Sequence, residues 1–221
     1  MNLRTQLVTD LNQLSAECRN RWNELASNPF QSWDWLGSWA ESFVDKGSLA
    51  VLKVMQGDTV VGLAPFCVEN RLASGRTIVF LGSGKASTDH LSILAQEGLT
   101  REVTRSMAEW LTGKTRNELA WDSIELVGAN LHDIGVDFFV DALRQRDVQV
   151  DVTDGLARYA IDLPPSWDQY VAMRSKSGRR EIRRAMRNIE RGHITVEQAK
   201  TPEQLSKHWS HFVELHRRRR S

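Results

Sequence analysis

The sequence contains little cysteine: Cys18 and Cys67 are the two that occur in 221 residues. Two cysteines cannot form the disulfide framework on which small secreted domains depend, and neither has the spacing of a metal ligand. Both lie in apolar patterns, which is typical of thiols buried in a core. The sequence therefore predicts neither a disulfide-stabilised fold nor a metal centre.

Long apolar runs are also missing. No run reaches the length that crosses a bilayer, and residues 1–6 contain no apolar signal region. The net charge is +1, so no overall field attracts the chain to nucleic acid or to a membrane. With 41% hydrophobic and 26% charged residues the composition is typical of a globular protein, and we expect a cytoplasmic location.

Hydrophobic periodicity predicts a mixed order of strands and helices. The predicted strands are 4–8, 49–55, 59–68, 76–81, 123–127, 148–152 and 158–163. The predicted helices are 10–26, one capped by Ser32, 100–111 and 133–146. Gly57-Asp58 is a tight-turn signal that predicts an antiparallel hairpin. Because hairpins fill the first half, this order predicts a mixed α/β fold and argues against a doubly wound nucleotide-binding fold.

Pro164-Pro165 marks the predicted domain boundary. The prediction divides the chain into a first domain, 1–163, a basic connecting helix, 164–192, and the opening strand and helix of an incomplete second domain, 193–221. The strand of this last part is expected near 194–198, before a helix that begins at Pro202.

A repeated order of residues suggests that one structural unit begins twice. Gln13-Leu14-Ser15 precedes Trp22, and Gln204-Leu205-Ser206 precedes Trp209; a Glu-Leu pair follows each tryptophan. The spacings differ between the two stretches, so chance similarity between two amphipathic helices is the alternative. If the repeat is real, the chain holds one complete domain and the start of another, and is a truncated form.

A basic helix gives the strongest local signal. Like charges at i,i+4 destabilise an isolated helix, and this stretch accepts that cost several times with Glu181 and Glu190 to offset it. The alternatives are a solvated face and a face that binds an anion, such as a cofactor phosphate, a phospholipid or lipid-linked substrate, or nucleic acid. Aromatic residues do not line the basic rows, which argues against single-stranded RNA. The candidate anion-binding residues are Arg179, Arg180, Arg183 and Arg184.

Asp89-His90 is the candidate catalytic pair. A carboxylate beside an imidazole at a sheet edge can take a proton from an acceptor amine or hydroxyl. Adjacent strand residues face opposite sides, so the two are not expected to form one hydrogen-bonded dyad, and surface polar residues are the alternative. The preceding residues 82–87 do not fit a phosphate-binding Walker loop, because Val79 and Ala86 occupy positions where that motif needs Gly and Ser or Thr.

The tryptophan-rich stretch 32–39 has two interpretations, a sugar-stacking platform or core packing. Core packing is favoured because Trp35 and Trp39 lie four residues apart on one helix face. Trp33 lies off that face and is the one predicted to be exposed.

Several segments together resemble one family, the CelD-like and FemAB-related acyltransferases of the GNAT superfamily. Each is similar to a motif of that family, and they occur in the family's order. The segments are 28–36 (NPFQSWDWL), 61–66 (VGLAPF), 80–84 (FLGSG) with Asp89-His90 after it, 166–184 (WxxY followed by an arginine-rich run) and 215–219 (LHRRR). His90 stands where the family motif has an aromatic tyrosine.

The resemblance implies a GNAT-like fold, with a central mixed sheet flanked by helices, and two such halves in the full enzyme. It implies transfer of an acyl group from acetyl-CoA or another acyl-CoA to an amine or hydroxyl, by direct attack of the acceptor on the thioester. The acceptor would be a small molecule or a glycan or lipid-linked precursor of polysaccharide or cell envelope, with peripheral membrane contact. The resemblance implies that the second half holds acyl-CoA, and only the first strand and helix of that half are expected here. The first half also departs from the pyrophosphate motif, because Leu81 replaces its Arg or Gln when the turn is read as Gly84-Lys85-Ala86.

Two other interpretations stay open at this point. One is a non-catalytic binding module whose basic helix contacts nucleic acid or anionic lipid. The other is a non-functional remnant whose exposed Trp209, Phe212 and Leu215 make it self-associate.

Overall fold

The computed structural model describes residues 2–45, 47–84, 88–113, 118–155 and 161–220. The chain divides into two compact units, Met1–Leu156 and Ala157–Ser221. The predicted domain limits after residues 163 and 192 stay predictions. The first unit contains strands and helices, and its element order confirms the mixed α/β class predicted from the sequence.

One sheet of the first unit is antiparallel and has the order β1-β2-β3-β6. Its strands are β1 (Leu3–Val8), β2 (Val51–Gln56), β3 (Thr59–Ala64) and β6 (Leu94–Ala95). Gln56 lies opposite Thr59, so Gly57 and Asp58 form the connecting turn, as the sequence predicts. Gly57 has φ +59°, a left-handed conformation that glycine adopts without steric cost.

The second sheet has the order β4-β5-β7, with β4 (Phe66–Arg71), β5 (Gly75–Phe80) and β7 (Ser123–Glu125). β4 and β5 are antiparallel, and β5 and β7 are parallel. The single strand predicted for 59–68 is divided between the two sheets at Pro65. Proline has no backbone N–H for a ladder hydrogen bond, so pairing ends there and the chain enters the second sheet.

Four helices of the first unit pack against these sheets: α1 (Ala16–Leu25), α2 (Trp33–Phe43), α3 (Thr100–Thr112) and α4 (Ile134–Arg144). The N-caps of α1, α2 and α4 are Ser15, Ser32 and Asp133, and each side chain accepts a hydrogen bond from a backbone N–H of the first turn. A 3-10 turn at Leu11–Gln13 precedes α1, so the helix predicted from residue 10 begins later.

Close contact between α3 and β3 depends on Gly62. A Cβ atom at this position would lie 2.3 Å from Val103 Cγ1, a distance that real side chains do not tolerate. Val103 is fully buried, so it cannot move away without loss of packing. The glycine therefore sets how near the helix lies to the sheet that it covers.

Both cysteines are buried in this core. Burial raises the pKa of the Cys67 thiol to about 12, and the Glu69 carboxylate adds to that shift; burial also raises the pKa of Cys18. The thiolate is the reactive form, and three pKa units reduce its amount roughly a thousandfold. We expect neither thiol to react with Ellman's reagent at pH 8 in the native protein and both to react in urea; rapid native labelling would contradict this burial.

The same shift predicts how stability depends on alkaline pH. The unfolded thiol loses its proton near its ordinary pKa of 9.0, whereas folded Cys67 keeps its proton up to a pKa of about 12. The unfolded state then binds fewer protons, so the Cys67 contribution to the free energy of unfolding falls as pH rises through this interval. We expect the free energy of unfolding, measured with urea, to fall less between pH 8 and 11 for Cys67→Ser than for the native sequence.

The described part of the second unit contains α5 (Trp167–Met173), α6 (Lys176–Glu190) and α7 (Pro202–Arg220). The single basic helix predicted for 166–191 is interrupted at Arg174, which has extended backbone with ψ 156°. Ser175 then caps α6, because its side chain accepts a hydrogen bond from the Gly178 N–H. No residue between 161 and 220 is buried.

Three predicted strands do not form in the described residues. Residues 148–152, 161–163 and 194–198 belong to no helix or strand, and residues 158–160 of the second of these predictions lie outside the described ranges. A strand needs a hydrogen-bonded neighbour for its N–H and C=O groups. The described part of the second unit contains no other strand, so the predicted strand at 194–198 has nothing to pair with.

The structural contexts of the two similar stretches differ. Ser15 caps α1 from outside the helix, whereas Ser206 lies within α7. Trp22 is fully buried, and Trp209 is 60% exposed. The matched residues therefore do not occupy equivalent positions in the two units.

Candidate functional site

The first unit has one long segment that leaves the sheets and returns to almost the same place. Phe80, at the end of β5, lies opposite Phe66, and Leu94, at the start of β6, lies opposite Leu63. β5 thus pairs with β4, and β6 pairs with β3, the strand that directly precedes β4 in the sequence. The segment between β5 and β6, residues 82–93, is here called the site loop. Its residues 85–87, which are half of the sequence considered for phosphate binding, lie outside the described ranges.

Hydrogen bonds fix the site loop to α2 and to the start of α4. The Thr88 hydroxyl oxygen accepts a hydrogen bond from Trp35 Nε1 at 3.1 Å. The Ser92 hydroxyl donates to Asp133 Oδ1 at 2.7 Å, the same oxygen that caps α4. Thr88 and Ser92 are buried, so these bonds are shielded from water. The loop is consequently held in position by its own polar side chains.

His90 has a left-handed backbone, with φ 60°. This conformation costs a residue with a side chain roughly 1–2 kcal/mol. The His90 carbonyl oxygen accepts hydrogen bonds from Gln31 Nε2 at 2.6 Å and from Asn28 Nδ2 at 3.5 Å. Gln31 is 3% exposed, which fixes its amide group. These hydrogen bonds offset part of the cost and hold His90 at the surface of the loop.

The imidazole ring of His90 is also oriented. Its Nδ1 lies 2.6 Å from Asn130 Oδ1, and its ring stacks on Phe30 with the centroids 6.5 Å apart. An amide oxygen only accepts, so Nδ1 carries the hydrogen and the neutral ring has its lone pair on Nε2. Within the described residues Nε2 has no hydrogen-bond partner. This nitrogen can accept a proton from a nucleophile bound beside the loop.

Asp89 and His90 lie in the site loop, not on the strand edge that the sequence suggested. Asp89 is exposed, and the orienting partner of the His90 ring is Asn130. Sequence reasoning missed Asn130 because it is 40 residues away along the chain. The available signal was its position just before Asp133, which caps α4. Gln31 was missed too, although it lies within a motif on which the family resemblance rests.

The aromatic residues around the loop differ from the prediction. Trp33 packs against Trp22, with centroids 5.5 Å apart, while Trp35 is 39% exposed. The reason is Gly37, where a Cβ would lie 3.0 Å from the Trp33 ring, so the missing side chain leaves room for that ring. Trp35 instead forms an edge-to-face pair with exposed Phe30 at 5.4 Å. Two partly exposed aromatic rings therefore lie beside His90.

The arginine candidates lie in the second unit and are not equivalent. Arg179 Nη1 donates to the carbonyl oxygens of Arg174 at 2.7 Å and Ala172 at 3.3 Å, so its guanidinium closes the end of α5. Arg180, Arg183 and Arg184 form no ion pair with any described residue. These three remain available to an external anion.

The start of α3 does not fit the pyrophosphate of coenzyme A. Phosphates bind well where free backbone N–H groups meet the positive end of a helix dipole. α3, the helix after the site loop, begins without a side-chain cap, but its first turn carries Glu102, and Glu97 precedes it. Both carboxylates repel a phosphate. The alternative turn at Gly84-Lys85-Ala86 lies partly outside the described ranges.

Two further classes of site were sought among the described residues. None of the described helices is both long and apolar enough to cross a membrane. In the same part of the chain, no group of three or more His, Cys, Asp or Glu side chains is placed to hold a metal ion.

Comparison with known proteins gives limited information. No protein-family model matches the chain, and no curated protein matches it. A solved structure titled ribosomal-protein-alanine N-acetyltransferase, from Brucella melitensis biovar Abortus 2308, is similar to 72% of this chain over 100% of its own length. The two share 14% sequence identity with a TM-score of 0.41. A likeness of this degree assigns neither a family nor an activity.

Proposed function

We propose that this chain is an acyltransferase of the N-acetyltransferase type, which moves an acyl group from acyl-CoA to an amine or hydroxyl acceptor. The observation that carries the proposal is the orientation of His90: Asn130 holds Nδ1, and the lone pair of Nε2 is left for a substrate. His90 Nε2 accepts the proton that the acceptor amine or hydroxyl releases. The motifs that resemble the CelD-like and FemAB-related acyltransferases support the same reaction class.

The element order of the first unit also supports this proposal. A strand, two helices, a run of antiparallel strands, a helix, a strand parallel to β5 and a further helix follow one another. This is the order that a GNAT-like half is expected to have. The exposed rings of Phe30 and Trp35 beside His90 support an acceptor with a flat apolar face, such as a sugar ring of a glycan precursor.

The acyl donor is implied by resemblance alone. Because Glu97 and Glu102 make the start of α3 unsuitable for a pyrophosphate, the proposal assigns donor binding to residues outside the described part of the first unit. This agrees with the expectation that a second half of such enzymes holds acyl-CoA. The cytoplasmic location and the cell-envelope pathway remain predictions.

Two measurements on the full chain test the proposal. Calorimetric titration with acetyl-CoA measures donor binding, and a thiol-specific dye measures release of coenzyme A in the presence of amino sugars and simple amines. We expect thiol release that depends on both the protein and the acceptor. A folded sample that neither binds acetyl-CoA nor releases thiol with any acceptor would contradict the proposal.

A further inference from the structure

The charges of the chain are unevenly distributed. Residues 161–220 contain 14 Lys and Arg against 7 Asp and Glu, a formal charge of +7, although the whole chain carries +1. Much of this excess lies on α6, which also has the most pronounced separation of apolar and polar faces among the helices. The strongest positive surface in the described residues is therefore on a helix that lies outside the first unit.

Helical spacing gives α6 two adjacent faces. Ile182, Met186 and Ile189 follow one another at i, i+4 and i+7 and form an apolar row. Around the helix Arg183 lies about 60° from Met186 and Arg187 about 100°, whereas Arg180 and Arg184 lie farther away, about 120° and about 160° from Met186. Met186 and Ile189 are 40% and 38% exposed, so the apolar row is in contact with solvent.

A groove between α5 and α6 continues the apolar row. It has a volume of about 540 Å³, and its lining is mostly apolar: Trp167, Val171, Ala172, Ile182 and Met186, together with Asp168, Arg179 and Arg183. The Arg179 guanidinium donates two hydrogen bonds to backbone carbonyl oxygens at the end of α5, which holds α6 against α5 and keeps the groove in place. Trp167 is 54% exposed and stacks on Tyr170 at 5.4 Å. Such rings are favoured at the boundary between lipid tails and headgroups.

We propose that this surface, formed by the apolar row, the groove, Arg183 and Arg187, docks on the surface of an anionic phospholipid bilayer. The apolar side chains enter the acyl boundary, and the two arginines bind headgroup phosphates beside it. Charge complementarity with exposed apolar residues favours lipid over nucleic acid. A nucleic-acid interface would use the whole arginine face of α6, including Arg180 and Arg184, and would not require the exposed Met186 and Ile189.

Co-sedimentation of the full chain with large vesicles measures this docking. We expect binding to phosphatidylcholine vesicles with about 30 mol% phosphatidylglycerol, weak binding to phosphatidylcholine alone, and progressive release by salt. Each basic residue near such a surface contributes about a fivefold gain in partition, so Arg183→Glu with Arg187→Glu should lower it about thirtyfold or more. If this double substitution leaves vesicle binding unchanged, the proposal is overturned.

Two matched variants distinguish docking through the apolar row of α6 from non-specific electrostatic attraction to the vesicle. Arg180→Glu with Arg184→Glu makes the same charge change farther from the apolar row on α6, and we expect its loss to be about fivefold. Met186→Gln with Ile189→Gln keeps every charge, and we expect about a tenfold loss of vesicle binding. Equal losses in the two arginine variants, or an unaffected glutamine variant, would overturn the proposal, as would binding to duplex DNA without binding to vesicles.

The readout is independent of acyl transfer. A further variant controls for the overall charge. It reverses two exposed arginines of the first unit, Arg4→Glu with Arg105→Glu. A variant with far-ultraviolet circular dichroism unlike that of the native chain is excluded, and the glutamine pair then tests the same surface. Failure of acyl transfer with normal docking would leave this proposal intact and contradict the proposed enzyme alone.

Discussion

Replacing His90 by glutamine is expected to lower the rate of acyl transfer about 10²- to 10⁴-fold, the usual contribution of a general base. Glutamine keeps a hydrogen-bonding side chain of similar length but has no nitrogen that accepts a proton. The backbone carbonyl of residue 90 can still accept from Gln31 and Asn28, so the loop should keep its position. The rate is measured as coenzyme A release at saturating acceptor.

His132 provides the matched control for this change. It is also a histidine with φ 60°, and it is exposed. His132→Gln therefore repeats the chemical change and the backbone setting without removing the imidazole that Asn130 orients. We expect its rate to stay within about twofold of the native chain. If both variants lose activity equally, the role assigned to His90 Nε2 is wrong.

Asn130 tests the orientation of the ring by a different readout. Asn130→Asp replaces the amide oxygen at 2.6 Å from His90 Nδ1 with a carboxylate, which stabilises the protonated imidazole. We therefore expect Asn130→Asp to slow acyl transfer, because an imidazolium cannot accept the proton of the acceptor. Proton–nitrogen correlation spectra of the native protein should show the tautomer with hydrogen on Nδ1, whether or not an acceptor is known. The opposite tautomer would refute the geometry.

Replacing Trp22 by alanine is expected to reduce the free energy of unfolding by about 3–5 kcal/mol. Trp22 is fully buried, contacts Trp33 edge to face, and donates from Nε1 to the Gln31 carbonyl oxygen at 2.9 Å. The change leaves a cavity and removes the donor to that carbonyl. Urea unfolding followed by far-ultraviolet circular dichroism measures the loss.

Trp209 is the natural comparison, because sequence similarity matched it to Trp22. It is 60% exposed on α7, and its described ring contact is with Phe212 at 5.4 Å. We expect Trp209→Ala to change the free energy of unfolding by less than about 1 kcal/mol. A loss as large as that of Trp22→Ala would mean that Trp209 fills a core and that the two stretches are structurally equivalent.

Much of the first unit follows from short stretches of sequence. The Gly57-Asp58 turn produces the β2-β3 hairpin, and Ser32 caps α2 by accepting from the Trp35 N–H. Such features are predictable because each involves residues within a few positions of one another. The failed strand at 194–198 has the opposite cause: an alternating pattern describes a strand only when a neighbour is present to pair with it.

The sequence alone determined the mixed α/β class, the Ser32 cap of α2, the hairpin and the excess of arginine along one helix, since each depends on composition or on neighbouring residues. The tertiary structure decided the rest. It divided one predicted strand between two sheets at Pro65, brought Asn130 to His90 across 40 residues, and exchanged the surroundings of Trp33 and Trp35. These outcomes depend on which distant elements pack together, and the periodicity within one segment does not specify that packing.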